Sequence, residues 1–343
     1  MLTKTKTAVV ILNWNGKEFL KKFLPGVIKF THDDGIIIVA DNNSDDDSVA
    51  MLTSNFNSVD IIRNESNGGF ATGYNLALQK INSEYYVLLN SDIEVTDGWL
   101  KPLIALMDSD ESIAACQPRI RSYHHPDQFE YAGAAGGFID IFGYPFCQGR
   151  LFQNIEKDDN QYNERREIFW ASGACMVVRA AVYHQLGGLD DDFFAHMEEI
   201  DFCWRAKQHG YKVMYCPESV VFHVGGGTLP KKSWKKTYLN MRNNSIMLCK
   251  NLPKRYLIPV LFTRLLLDGI AALKFLADGG WHDLWAVFRA HMSFYRSLPV
   301  TLHKRRKIPG ILVSQMYKGN VVFEHFLLRR KQFSQLSQKK FTS

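Results

Sequence analysis

Three short apolar runs, at 8–12, 35–40 and 85–89, are rich in β-branched and aromatic residues, and each stops at a polar loop. Uninterrupted apolar runs of this length read as buried parallel strands. Helical stretches separate them: Lys17 to Lys29 lies between the first two, and Ala71 to Lys80 between the second and third. The result is a βαβ layout, in which ligands gather beyond the carboxyl ends of the strands.

Beyond a helix near Trp99 to Met107, residues 122–167 carry many Gly, Pro, Asn and charged residues without sustained periodicity. That profile predicts a mobile covering loop over an active site, with a disordered insertion as the alternative. Order resumes at Phe169 to Val178. The stretch Glu198 to His209 reads as a helix with Ile200, Cys203 and Trp204 on one face and Gly210 placed to end it. Val220 and Val221 then lead, as a last strand, into His223.

Charge divides the chain in two. Residues 1–230 hold 19 Lys and Arg against 31 Asp and Glu, a net of −12, whereas residues 231–343 hold 22 against 4, a net of +18. At 343 residues and 46% hydrophobic composition, one large α/β domain over 1–230 with a basic helical extension over 231–343 is the expected organisation. The acidic part suits a cation-dependent site, and the basic part suits an anionic partner such as phosphate, anionic lipid or nucleic acid. Six cysteines without Cys-x-x-Cys spacing, and no apolar leader before Ala8, predict a reducing cytoplasm with structural thiols.

Within the extension, Tyr256 to Leu276 is apolar enough to raise a transmembrane question, but Pro259, Arg264, Asp268 and Lys274 interrupt it. Charges at the bilayer centre are costly, which argues against full spanning. The next segment places Trp281, Trp285, Phe288 and Met292 on one helical face and is followed by His303-Lys304-Arg305-Arg306-Lys307. This pattern predicts an interfacial helix pair with a polybasic flank, hence a peripheral contact with the inner face of the plasma membrane; a core-packing helix pair is the competing reading.

Residues able to carry chemistry stand at the predicted strand ends. Asp41, Asn42 and Asn43 follow the second strand, where a carboxylate can accept from a ribose or base, or simply start a turn. The stretch Asn67-Gly68-Gly69-Phe70-Ala71-Thr72-Gly73-Tyr74-Asn75 opens a helix whose free N–H groups favour an anion or nucleotide. Asp92, after Asn90-Ser91, is a hard oxygen ligand that could share Mg²⁺ or Mn²⁺ with a diphosphate, or end a strand. Glu198, Glu199 and Asp201 crowd three carboxylates at one helix start, where repulsion raises at least one pKa and suits a general base; the helix dipole offers a milder explanation. His223 is either a third metal ligand or a structural group.

The order of these motifs carries a resemblance. Asn13-Trp14-Asn15-Gly16, Asp41-Asn42-Asn43-Ser44, Asn67-Gly68-Gly69-Phe70 with Asn75, Leu88-Leu89-Asn90-Ser91-Asp92, Trp170-Ala171-Ser172-Gly173-Ala174, and Glu198-Glu199-Ile200-Asp201 through Arg205 resemble the family 2 glycosyltransferases, in particular the rhamnosyltransferase-like branch, over about residues 7–228. The resemblance implies a GT-A fold, a nucleoside diphosphate sugar as donor, and transfer with inversion. It puts Asn13, Asn15, Asp41, Asn43, Asn67, Gly69, Asn75 and Asn90 on the donor side, with Asp92 and His223 as metal ligands. Glu199 becomes the base, with Glu198 and Asp201 as companions, while Trp170, Gly173 and Arg205 fall toward the acceptor. Two departures stand out: the family's Asp-x-Asp is Asn90-Ser91-Asp92 here, and its Glu-Asp pair is Glu198-Glu199.

The basic extension, with that resemblance, points to a glycan or polyprenyl-linked acceptor in bacterial polysaccharide assembly. Two other classes remain. A nucleotidyltransferase shares the layout, but the first strand leads into Asn13-Trp14-Asn15-Gly16 instead of a glycine-rich Arg/Lys loop. A nucleic-acid-binding module explains the basic extension alone and leaves the six ordered motifs unaccounted for, so no nucleic-acid partner is expected.

Overall fold

Strand β1 (Thr5–Asn13) is followed by α1 (Lys17–Thr31), whose Leu20, Phe23, Leu24 and Val27 recur at helical spacing and are all buried. Strand β2 (Ile36–Asp41), α2 (Ser48–Asn55), β3 (Asp60–Arg63), α3 (Gly69–Leu78) and β4 (Ser83–Asn90) continue the alternation. The β1, β2 and β4 segments contain the three apolar runs of the sequence; they lie side by side and parallel, with Ala8, Val9, Val10, Val87, Leu88 and Leu89 wholly inaccessible. The computed structural model describes residues 5–31, 34–225 and 233–343.

Next come β5 (Ile93–Val95), α4 (Leu100–Ser109) and β6 (Ile113–Ser122). Four short strands follow: β7 (Gly137–Asp140), β8 (Pro145–Cys147), β9 (Arg150–Leu151) and β10 (Asn154–Ile155). The domain continues with β11 (Arg166–Glu167), β12 (Cys175–Arg179), α5 (Ala180–Gln185), α6 (Glu198–Gln208) and β13 (Lys212–His223). The main sheet runs β11-β13-β6-β12-β4-β1-β2-β3, with β5 beside β13. It is mixed, because β12 enters antiparallel between β4 and β6. Helix α6 ends where expected: Gly210 has φ +86°, a left-handed conformation suited to a residue without Cβ.

The reading of 122–167 as a mobile loop does not hold. Strands β7 to β10 form a second sheet, around which Phe129, Phe138, Phe146 and Leu151 are buried. Strands of two to four residues are too short to display periodicity, so the sequence pattern missed them. The fifth strand of that sheet comes from far along the chain: β14 (Met316–Tyr317) pairs in parallel with β7. Before it stand α7 (Trp234–Asn251), α8 (Lys254–Ala277) and α9 (Trp281–Arg305), and after it α10 (Val321–Phe326). The basic segment therefore completes a sheet begun in the acidic one. The expected boundary at 230/231 lies outside the described residues.

Candidate active site

The carboxyl ends of β1, β2 and β4 bring Asn13, Asp41 and Asn90 together, since Asn13 is in register with Asp41 and the adjacent Leu12 with Asn90. Asn13 is fully buried and donates through Nδ2 to Asp41 Oδ1 (3.0 Å), Ser44 Oγ (3.1 Å) and Ser48 Oγ (2.9 Å). Asp41 also accepts from the Ser44 hydroxyl at 2.6 Å and the Ser44 N–H at 3.1 Å. Asn15 and Asn43 both have positive φ, and Asn15 bridges to Asp45 with its amide. Short polar side chains tolerate that conformation, so the motif residues shape the loop crest themselves.

The glycine-rich loop is built differently from the expectation. Gly69 has φ +81°, and a Cβ there would lie 2.2 Å from the Phe194 carbonyl oxygen, so both the turn and the close approach require glycine. Its N–H donates to Asn67 Oδ1 (2.9 Å), and the Phe70 N–H donates to Phe194 O (2.7 Å). Those N–H groups are occupied by protein, not free for an anion. Asn42, buried, ties the loop down by donating to Asn67 Oδ1 (2.9 Å) and Gly69 O (3.0 Å). Asn75 is also corrected: its Oδ1 accepts from Tyr183 Oη (2.6 Å) and Leu189 N (3.0 Å), and its Nδ2 donates to Leu189 O (2.8 Å) and Asp191 Oδ1 (2.7 Å). With all four bonds made, its amide holds the loop after α5 and has nothing left for a donor.

Asp92 and His223 meet across β5 and β13. His223 Nε2 lies 3.2 Å from Asp92 Oδ1, and its Nδ1 lies 3.4 Å from Glu130 Oε2, all three side chains being buried. Burial pushes the imidazole pKa down, but the charges of Glu130 and Asp92 outweigh it and raise the value to about 10. Glu130 sits in the stretch read as a loop and gave no sequence signal; only its placement against His223 marks it. Among the described residues, no three His, Cys, Asp or Glu side chains form a metal-holding group. The Asp92 carboxylate fits a cation that a diphosphate would share, because hard divalent ions take their remaining ligands from phosphate oxygens and water. His223 could add a nitrogen only after its imidazolium gives up a proton, since a protonated ring nitrogen has no lone pair to offer.

The carboxylates at the start of α6 have separate environments. Asp201 is wholly buried and accepts from Arg205 Nε (2.8 Å), Lys250 Nζ (2.7 Å) and Asn251 Nδ2 (2.8 Å). So engaged, it is a structural anchor and not a base. Glu198 and Glu199 each keep a buried Oε2 without a hydrogen-bond partner. Burial, with the charge of Glu199 added, pushes Glu198 well above the carboxylate range; burial raises Glu199 to about 7. His196 and Met197, immediately before them, have φ +71° and +76°. Consecutive left-handed residues of this bulk store strain, which must be held by the surroundings.

Gly173 stands beside Glu199: a Cβ built on it falls 3.8 Å from the Glu199 Cβ and 3.0 Å from Phe70. Its neighbour Ala174 accepts from the Asn90 N–H at 2.9 Å, so the ends of β4 and α6 face one space. Trp170 and Arg205 are not on it. The Trp170 indole is buried against Gly137, with its N–H donated to Phe138 O (2.8 Å). The Arg205 guanidinium is consumed by Asp201, Leu186 O (2.8 Å) and Gly188 O (2.7 Å).

Comparison with known proteins agrees with this architecture. The sequence profile of glycosyl transferase family 2 matches residues 8–187, just over half of the chain. An N-acetylglucosaminyl-diphospho-decaprenol L-rhamnosyltransferase of Mycobacterium tuberculosis is 23% identical over 233 residues, covering 63% of this chain and 75% of that one. The rhamnosyltransferase WbbL of Escherichia coli is 23% identical over 228 residues, with 63% and 82% covered. In structure, the chain is similar to the mannosyltransferase PcManGT from Pyrobaculum calidifontis in complex with GDP-Man and Mn²⁺, with a TM-score of 0.51 at 14% identity over 89% of this chain and 88% of that one. A mixed sheet whose motif-bearing strand ends converge in this way is the GT-A fold, and the protein belongs to glycosyl transferase family 2, as a glycosyltransferase drawing on a nucleotide-sugar donor.

Proposed function

We propose that the protein transfers a sugar with inversion from a nucleoside diphosphate sugar to a hydroxyl of a lipid-linked glycan, with residues 1–230 as the catalytic domain and 231–343 as the extension that completes it. The observation that carries this is Glu199: a carboxylate with an unpartnered Oε2, raised to about 7, next to Gly173 and the end of β4. A base with a pKa near the operating pH both exists as carboxylate and holds a proton well. Glu199 takes the acceptor hydroxyl proton as that oxygen bonds to the anomeric carbon; the bond from that carbon to the diphosphate oxygen breaks on the opposite face, and its electron pair leaves with the nucleoside diphosphate. One displacement inverts the centre.

Asp92 would hold a divalent cation, joined by His223 in its neutral form, with Glu130 accepting from the other ring nitrogen and orienting the imidazole. When bound, such an ion neutralises charge on a diphosphate leaving group. Asp41, at the end of β2, would receive the nucleoside. Asn13, expected on the donor side, is fully buried with its amide spent on Asp41, Ser44, Ser48 and the Gly16 N–H, and so holds Asp41 in place instead of touching ligand. The lipid-linked acceptor is supported by the mycobacterial relative, whose name specifies a decaprenol-diphosphate glycan.

The test is calorimetric titration with UDP, dTDP and GDP, each with and without Mn²⁺. One nucleotide should bind selectively and more tightly with Mn²⁺, and Asp92→Ala should erase the Mn²⁺-linked part. Binding of none of the three would overturn the reading.

A further inference from the structure

Helix α8 is amphipathic the wrong way round for a helix facing water. Its 24 residues place Val260, Arg264 and Asp268 inward at i, i+4 and i+8, while Ile258, Phe262, Leu266, Ile270 and Leu273 line the opposite face. The outward side chains are large and open: Ile258 is 73% exposed, Phe262 64%, Ile270 64% and Leu273 65%. The two inward charges, which on sequence argued against a full transmembrane span, satisfy each other. Arg264 Nε donates to Asp268 Oδ1 at 2.8 Å, and His291 of α9 approaches Asp268 Oδ2 at 3.4 Å. A soluble helix buries its apolar stripe and shows its charges; here the solvent that matches the outer face is hydrocarbon.

Helix α9 continues the surface. Trp281, Trp285 and Phe288 recur at i, i+4 and i+7 and are exposed, with the Trp285 and Phe288 rings stacked at 5.1 Å. Tryptophan is the residue favoured where hydrocarbon meets headgroups. At the far end of the helix pair, the start of α8 and the end of α9 enclose a basic recess of about 620 Å³ lined by Lys254, Arg255, Arg305 and Arg306. Lys254, Arg255 and Arg306 are exposed there, as is Lys307 beside them. Positive charge beside an outward apolar face is complementary to an anionic bilayer.

We propose that α8 and α9 dock the enzyme on an anionic lipid bilayer, with α8 lying in the plane of the interface and its outer face sunk among the acyl chains. Crossing the bilayer is ruled out by the inner face: Arg264 donates to Phe142 O (3.1 Å) and stacks 4.0 Å over the Tyr144 ring, which fastens mid-helix to the turn after β7. The inference does not rest on the identity of donor or acceptor.

The experiment is co-sedimentation of the full chain with vesicles of phosphatidylcholine containing about a third phosphatidylglycerol, and with phosphatidylcholine alone. The wild type should pellet with the anionic vesicles. The triple variant Ile258→Ser, Phe262→Ser, Ile270→Ser should bind them about tenfold less well, and Lys254→Gln with Arg306→Gln and Lys307→Gln should lose the preference for anionic lipid. Circular dichroism and nucleotide titration on each variant separate loss of docking from loss of fold or of donor binding. Wild type left in the supernatant, or an apolar triple variant that pellets like wild type, overturns the proposal. So does a wild-type dimer that the triple variant converts to monomer without vesicle binding, which would assign the face to a second copy.

Discussion

Asn243 of α7 donates its amide to the carbonyl of His196 at 2.8 Å, and to that of Ala195 at 2.9 Å. The basic segment thereby grips the strained turn that delivers Glu198 and Glu199. His196 and Met197 would relax toward ordinary backbone conformations if these bonds were lost, since left-handed φ costs about 1–3 kcal/mol per residue. Asn243→Ala should lower kcat by about 10- to 100-fold through misplacement of Glu199, with the nucleotide Kd within about twofold of wild type. Equal losses in nucleotide binding and turnover would make Asn243 a general support of the fold instead of a positioning residue.

Replacing Glu199 itself removes the proton acceptor while preserving shape. Glu199→Gln should reduce kcat by about 10²–10⁴-fold and leave nucleotide binding intact. In the wild type, kcat/KM should rise with pH and level off above a midpoint near 7, as Glu199 loses its proton. Near-normal turnover in the variant would transfer the role to Glu198, the other unpartnered carboxylate.

The same pKa shift has a stability consequence of opposite sign. Glu199 ionises near 4.5 in an unfolded chain and near 7 in the folded one, so between these values the folded state binds more protons. Its contribution is fully present below pH 4.5 and lost as pH rises through about 7; Glu198 acts in the same direction. Glu199→Gln escapes the loss and should be more stable than wild type at about pH 8 by about 1–3 kcal/mol, a difference that vanishes near about pH 4. Thermal denaturation of both proteins across that range reads it directly; a variant less stable at the alkaline end would show that the carboxylate is not strained by burial.

The parallel strands were legible because Ala8–Ile11 and Tyr85–Leu89 are buried on both faces and so carry unbroken apolar runs. Asp92, His223 and Glu199, singled out by their order along the chain, lie at the ends of β4, β13 and α6. Asn75, Trp170, Asp201 and Arg205 belong to the same motifs, yet they bond inward; motif membership says that a residue matters, not whether it meets ligand or loop. Glu130 could not be found, since its partner His223 is 93 positions away and its own segment forms strands too short to show a period. The charge segregation of the sequence was visible, but its meaning is partly internal: Lys250 and Lys304 pair with Asp190, Lys304 also with Asp192, and Lys250 with Asp201.

That pairing gives the last expectation. Lys250 is buried in α7 and reaches both Asp190 and Asp201, linking the basic segment to α6. Removing one partner of a buried ion pair leaves a charge uncompensated and costs about 3–5 kcal/mol, whereas removing both costs less. Lys250→Met should therefore destabilise the chain by about 3–5 kcal/mol in denaturant unfolding. The double variant with Asp190→Asn should recover part of that loss, because Asp201 then keeps Arg205 and Lys304 keeps Asp192, so no buried charge is left unpaired. Additive losses in the double variant would mean that Lys250 and Asp190 act independently, and that α7 is held to α6 by packing and the Asn251 hydrogen bonds instead of by this ion pair.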